Sequence, residues 1–284
     1  MKNTILTLQK RKKNQQKITM LTAYDYTTAK LMDESGIDCL LVGDSLGMVM
    51  LGYDSTVSVT MEDMIHHSKA VARAAKSAFV VTDLPFMSYH TSVYDAVLNA
   101  GRLIKEGQAQ AVKLEGGQAF YEHIKMITQA SIPVVAHIGL MPQSVLALGG
   151  YKVQGKDYEH AKNIVLDALA VEKAGAAAIL LECVPAGLAK FITQLVNIPT
   201  IGIGAGVDCD GQVLVYQDML SMYDGISSKF VKSFASIGEQ MKQAFKLYCQ
   251  EVNNRQFPAT NHEFSIEDNV IEKLKLEFTI NHKG

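Results

Sequence analysis

The sequence predicts an α/β protein of the (β/α)8 TIM barrel class. Short apolar runs recur along the chain with helix-periodic segments between them, the alternation that builds a parallel sheet. Eight such runs can be placed, one for each strand of a barrel. Four of them run straight into ionisable residues: Cys39-Leu-Leu-Val-Gly-Asp44-Ser45, Phe79-Val-Val-Thr-Asp83, Ala111-Val-Lys113-Leu-Glu115 and Ala178-Ile-Leu-Leu-Glu182. A carboxylate at the end of a buried strand is costly unless a cation, a metal or a substrate compensates it, and converging strand ends are where barrel enzymes build their sites.

The strands are expected near 18–24, 39–44, 79–83, 111–115, 133–138, 177–182, 199–203 and 213–216. Helical periodicity fills the gaps at 27–35, closing on Gly36, then at 61–76 and at 93–106 before Gly107. It returns at 160–173 before Gly175 and at 187–196 ahead of the strand that follows Pro199. Residues 3–14 read as a short helix that covers the barrel bottom, with the basic stretch 10–13 as its solvated face. No Gly-x-Gly-x-x-Gly follows the first strand, so a dinucleotide-binding sheet loses its main support. The barrel is expected to occupy 1–264 as one domain, with 265–284 a C-terminal extension forming an amphipathic helix capped by Ser265.

Composition narrows the function classes. At 284 residues and 48% hydrophobic, the chain can bury a large single core. Its net charge of −2 argues against a nucleic-acid or membrane surface, which would show a clustered basic excess. Cys39, Cys183, Cys209 and Cys249 have no C-x-x-C spacing and read as reduced thiols. With neither a signal-peptide pattern nor an apolar run of about 18 residues, a cytoplasmic location is expected.

Asp44 and Asp83 end successive strands, and two oxygen ligands on neighbouring strands suit a hard divalent cation that keeps its other positions for water or substrate. Glu115, ending the next strand, is a third oxygen donor for a metal-bound water. Singly, Asp44 and Asp83 also read as turn residues. Magnesium is favoured over zinc, because the eight histidines show no paired ligand spacing. Lys113 shares a strand face with Glu115, so it is either an anion clamp or the partner of a neighbouring carboxylate. His137 on the fifth strand is either a hydrogen-bond donor to a substrate oxygen or a satisfied core residue. Glu182 ends an almost wholly apolar strand, which suits a partly desolvated general base, with an ion pair or backbone contact as the plainer reading.

The segments Leu21-Thr-Ala-Tyr-Asp-Tyr26, Leu41-Val-Gly-Asp-Ser-Leu-Gly-Met48, Asp83-Leu-Pro-Phe86, Val112-Lys-Leu-Glu-Gly-Gly117, Gly149-Gly-Tyr-Lys-Val-Gln-Gly155, Leu181-Glu-Cys-Val-Pro185 and Ile201-Gly-Ile-Gly-Ala-Gly206, followed by Asp210-Gly-Gln212, resemble the ketopantoate hydroxymethyltransferase family. The resemblance runs from about residue 5 to 264. It implies a (β/α)8 barrel that forms ketopantoate for pantothenate synthesis from 3-methyl-2-oxobutanoate and 5,10-methylenetetrahydrofolate, with Mg2+ as cofactor. Carried over residue by residue, it puts metal ligands on Asp44 and Asp83 with Glu115 near the ion, oxo-acid contacts on Ser45, Asp83 and Lys113, and the catalytic base on Glu182. His137 is assigned to orient the new hydroxymethyl oxygen. A homo-oligomer, commonly a decamer of two stacked pentamers, is implied as well.

The chain departs from the family pattern at Met141, where many relatives have Thr, at Ser228 for Pro, and at Ser221-Met-Tyr223 for Gly-Leu-Thr. These positions bear on the folate side and the later loop, not on the metal or the base. Two other classes stand beside this reading. A carbon–carbon lyase on the same barrel would carry a Lys-x-Cys-Gly-His loop, which is absent. A non-catalytic barrel would have no reason to keep Asp44, Asp83, Lys113 and Glu182 together at strand ends.

Overall fold

Eight parallel strands close into a barrel, in sequence order, in the computed structural model, which describes residues 2–150, 152–222 and 228–278. The strands are β1 (Ile18–Thr22), β2 (Cys39–Val42), β3 (Phe79–Asp83), β4 (Ala111–Glu115), β5 (Val134–Gly139), β6 (Ala178–Glu182), β7 (Thr200–Ile203) and β8 (Gly211–Leu214). Around them lie α1 (Ile5–Lys13), α2 (Tyr26–Glu34), α3 (Met61–Ala74), α4 (Val93–Lys105), α5 (Tyr121–Gln129), α6 (Tyr158–Lys173) and α7 (Ala186–Leu195). The chain divides into two compact units, Met1–Ala235 and Ser236–Gly284.

Side chains alternate along each strand with period two, so the barrel has two separate cores. Leu40, Val80, Val112, Ala136 and Ile179 face the helices, while Leu41, Val81, Ala111, Val135 and Leu180 fill the interior. Continuing the interior set upward brings Asp83, Lys113, Glu115, His137 and Glu182 to the C-terminal end. The register sets Asp83 beside Lys113, Glu115 beside His137, and Gly139 beside Glu182. Gly139 is required there: its φ is +95°, and an added Cβ would lie 2.4 Å from the Glu182 carbonyl oxygen.

The N-terminal end is closed by α1. Leu8 is buried in the interior core, and the helix starts with a Thr4–Thr7 capping box. The basic stretch 10–13 differs from the expected solvated face: Arg11 pairs with Asp38, and Lys12 pairs with Asp210 at 2.9 Å. Only Lys10 and Lys13 are exposed. Asp38 and Asp210 repeat one arrangement. Asp38 Oδ2 accepts the Thr19 N–H and hydroxyl, both at 3.0 Å, while the Asp38 N–H returns to Thr19 Oγ1 at 3.1 Å. Asp210 makes the same three bonds with Thr200, at 2.8, 3.1 and 3.2 Å.

Three element expectations need correction. β8 lies two residues earlier than its apolar residues suggest, because Gly211 gives the close approach to β1. Tyr216 instead opens a single helical turn and donates its N–H to Thr22 Oγ1 at 3.1 Å. Helix α5 was not foreseen; Ile124 and Ile127 alone are buried in it, too few to mark a periodic face. In the second unit the helices are Ile237–Asn253 and Asp268–Glu277. The latter begins after the extended Glu267, which makes no side-chain cap bond, so Ser265 is not its cap. Residues 279–284 lie outside those described.

Candidate active site

All seven residues singled out in the sequence meet at the C-terminal end of the barrel. Asp83, the last residue of β3, is 1% exposed and Lys113 on β4 is 4% exposed. The Lys113 Nζ donates to Asp83 Oδ2 at 2.8 Å, and the Asp44 N–H reaches the same oxygen at 3.1 Å. Asp83 Oδ1 is buried with no hydrogen-bond partner among the described residues. An unpaired carboxylate oxygen in a buried site is costly, and an oxygen so placed could hold a cation.

Charge at the site is unbalanced. Burial and the neighbouring Asp83 push the Asp44 carboxyl up to about 8, against the pull of Lys113. Burial also pushes Asp83 up while Lys113 opposes it. Burial alone would lower the Lys113 ammonium, but Asp83, Glu115 and Asp44 outweigh it and hold the group charged. On the next strands, His137 Nδ1 lies 3.5 Å from Glu115 Oε1 and His137 Nε2 lies 3.3 Å from Glu182 Oε2. Burial opposes protonation of His137, and the two carboxylates overcome it, raising the imidazole to about 9. Both ring nitrogens nevertheless lack well-formed hydrogen bonds, so the imidazole is held by charge more than by geometry. Glu115 is lowered despite its burial, with His137 and Lys113 the main charges beside it.

The rest of the mouth is built by loops. Ser45 follows Asp44 at the end of β2, and its hydroxyl shares a hydrogen bond of 2.8 Å with the buried Tyr24 hydroxyl. Glu182 keeps 15% of its side chain exposed, the most open of the strand-end carboxylates. The sequence reading missed Gln143 and Tyr89. Gln143 donates to Asp44 Oδ2 at 2.7 Å through its side chain and to Glu115 Oε2 at 2.9 Å through its backbone. Tyr89 donates to Gln143 Oε1 at 2.8 Å. The one available signal was the place of Gln143 after Pro142, just past the fifth strand.

Among the described residues no group of three His, Cys, Asp or Glu side chains forms a metal cage. Two strand-end aspartates fit the smaller demand of an octahedral cation that leaves positions for water or an oxo acid. A cavity of about 160 Å³ lies on the outer side of β5, lined by Gly139, Met141, Gln154, His160 and Asp167 among others. None of the strand-end carboxylates lines it, so it is not the chemical centre.

Residues 2–260 match the family profile of ketopantoate hydroxymethyltransferase. The chain belongs to the ketopantoate hydroxymethyltransferase family. A Clostridium novyi (strain NT) protein named 3-methyl-2-oxobutanoate hydroxymethyltransferase is 64% identical over 274 residues, spanning 96% of this chain and all of that one. A protein of the same name from Enterococcus faecalis is 62% identical over the same length and coverage. As a member of this family the chain is a hydroxymethyltransferase. Among solved structures, phosphonopyruvate hydrolase in complex with oxalate and Mg2+ is similar with a TM-score of 0.59 at 14% identity, covering 97% of this chain and 99% of that one. That likeness speaks for the barrel alone. No helix among the described residues is long and apolar enough to cross a membrane.

Proposed function

We propose that the chain transfers the one-carbon unit of 5,10-methylenetetrahydrofolate to 3-methyl-2-oxobutanoate, with magnesium held by Asp44 and Asp83 and with Glu115 close by. The observation that carries this reading is the buried Asp83 Oδ1, without a partner among the described residues, within a group of four carboxylates faced there by two cationic side chains, Lys113 and His137. A doubly charged cation held by Asp44 and Asp83 would offset that excess and would leave positions open to the oxygens of an oxo acid.

When bound, magnesium supplies positive charge next to the oxygen on which negative charge develops. The chain's own groups do the rest. Ser45 and Lys113 hold the oxo acid, with Asp83 fixing the Lys113 ammonium. Glu182 takes the C3 proton, and His137, 3.3 Å away, steadies its carboxylate. The electron pair left on C3 attacks the folate methylene carbon. A C–C bond forms as one of the two methylene–nitrogen bonds breaks; water then displaces the other folate nitrogen and its oxygen becomes the hydroxyl that His137 orients. The proton taken by Glu182 and the one shed by water go to the two folate nitrogens, and tetrahydrofolate leaves. A homo-oligomer working in the cytoplasm is the assembly and location that go with the family resemblance.

Proton removal can be read without folate. Wild-type protein with magnesium exchanges the C3 hydrogen of 3-methyl-2-oxobutanoate for solvent deuterium, followed by NMR. Glu182→Gln is expected to bind the oxo acid but to slow exchange by roughly 10²–10⁴-fold. Near wild-type exchange in the variant would assign the base elsewhere.

A further inference from the structure

Each of the three buried strand-end carboxylates has one oxygen held by a protein donor. Asp83 Oδ2 accepts from Lys113 Nζ and the Asp44 N–H. Asp44 Oδ2 accepts from Gln143 Nε2 at 2.7 Å, and Glu115 Oε2 accepts from the Gln143 N–H at 2.9 Å. One residue therefore holds two of the three. No hydrogen bond falls on Asp44 Oδ1 among the described residues, as none falls on Asp83 Oδ1.

Gln143 is 2% exposed, and its amide cannot turn over freely. The Tyr89 hydroxyl accepts the Glu115 N–H at 3.1 Å and has one proton to give; Gln143 Oε1 at 2.8 Å is a closer acceptor than the Glu115 carbonyl at 3.1 Å and takes it. With Oε1 occupied, both amide hydrogens meet acceptors, Asp44 Oδ2 and the Leu84 carbonyl at 3.0 Å. The reversed amide would set an oxygen against the Asp44 carboxylate and leave the Leu84 carbonyl without its donor.

We propose that Gln143 sets the cation selectivity of the site by restricting Asp44 to one free oxygen, while its N–H and His137 occupy the two oxygens of Glu115. Six-coordinate magnesium binds carboxylates through single oxygens in near-octahedral geometry, whereas calcium takes six to eight oxygens and readily uses both of a carboxylate. Tyr89 locks the amide in the selective orientation. Both are positioning residues, and the inference rests on the reading of Asp44 and Asp83 as ligands of a divalent cation.

Calorimetry of the metal-stripped full chain with magnesium and with calcium, each in the presence of 3-methyl-2-oxobutanoate, tests this. Gln143→Met keeps the volume and removes the donors. It should weaken magnesium by roughly 10–100-fold, the usual cost of losing a group that supports a metal ligand. Calcium should lose little or gain, so that the magnesium-to-calcium affinity ratio falls by about 10-fold or more. Tyr89→Phe keeps the ring and removes the lock, and should lower the ratio by a smaller factor. It decides the question if Gln143→Met does not fold. An unchanged ratio in both variants, or equal losses for the two cations, overturns the proposal and reduces Gln143 to ordinary support. Asp44→Asn separates the two readings: if it leaves magnesium affinity intact, the ligand assignment falls and the selectivity with it. If Asp44→Asn abolishes binding while Gln143→Met keeps the ratio, only the selectivity falls.

Discussion

At the N-terminal end of the barrel, Asp38 and Asp210 each have a threonine filling one carboxylate oxygen and a basic side chain of α1 alongside. At the C-terminal end, Asp44, Asp83 and Glu115 share one lysine and one histidine, and Asp83 keeps an oxygen with no partner. At one end each aspartate has its own basic partner; at the other, buried carboxylates are left short of positive charge. Carboxylates matched one to one with cations support a fold; buried ones in excess store an affinity for a cation that is not the protein's own.

The largest contrast should appear in how stability of the metal-free protein responds to pH. The folded protein holds the Asp44 proton up to about 8, whereas the unfolded chain releases it near 3.8. Between those values folding takes up a proton, so stability falls as pH rises, by on the order of 1 kcal/mol per pH unit from this group. Asp44→Asn should flatten that slope and raise the denaturation midpoint of the metal-free protein at pH 8. Urea titrations across the window check it; an identical slope in the variant would assign the strain to another group.

Asp83→Asn should lower magnesium and oxo-acid affinity together, by more than the roughly 100-fold that loss of a supporting group can cost. Calorimetry at saturating magnesium reads it, and an unchanged oxo-acid affinity would take Asp83 out of the site. At the opposite end, Asp38→Ala strands two Thr19 donors and the Arg11 guanidinium. It should cost about 2–3 kcal/mol in urea denaturation and leave magnesium affinity unchanged. Within α1, Lys12→Ala should cost about 1 kcal/mol, but Lys13→Ala less than about 0.5 kcal/mol. Equal effects of those two would mean that the Lys12–Asp210 contact adds nothing.

What the sequence made legible was what repeats locally. Runs such as Phe79-Val-Val-Thr-Asp83 carry their strand, their face and their terminal charge within five residues, so the barrel and its ring of carboxylates could be read directly. Partnership across the chain could not. Lys12 meets Asp210 across 198 residues and Gln143 meets Asp44 across 99, and nothing in the local pattern of a lysine run or a Pro-Gln pair points to either. Gln143 is also neutral, so charge patterning passes over it. Helix α5 escaped for a related reason: its face is set by the strand beneath it, not by its own two buried isoleucines.

The seam between β1 and β8 has a consequence for synthesis. Thr22 waits for Tyr216, 194 residues later, and Lys17 for the Val207 and Cys209 carbonyls. At about 5–20 residues per second, translation leaves the free edge of β1 open for roughly 10–40 s. An unpaired edge strand is a template for pairing with other chains. The first helix is therefore made early but gains its Asp210 anchor only at the end, so the nascent chain depends longest on whatever shields β1 while the ribosome is still at work.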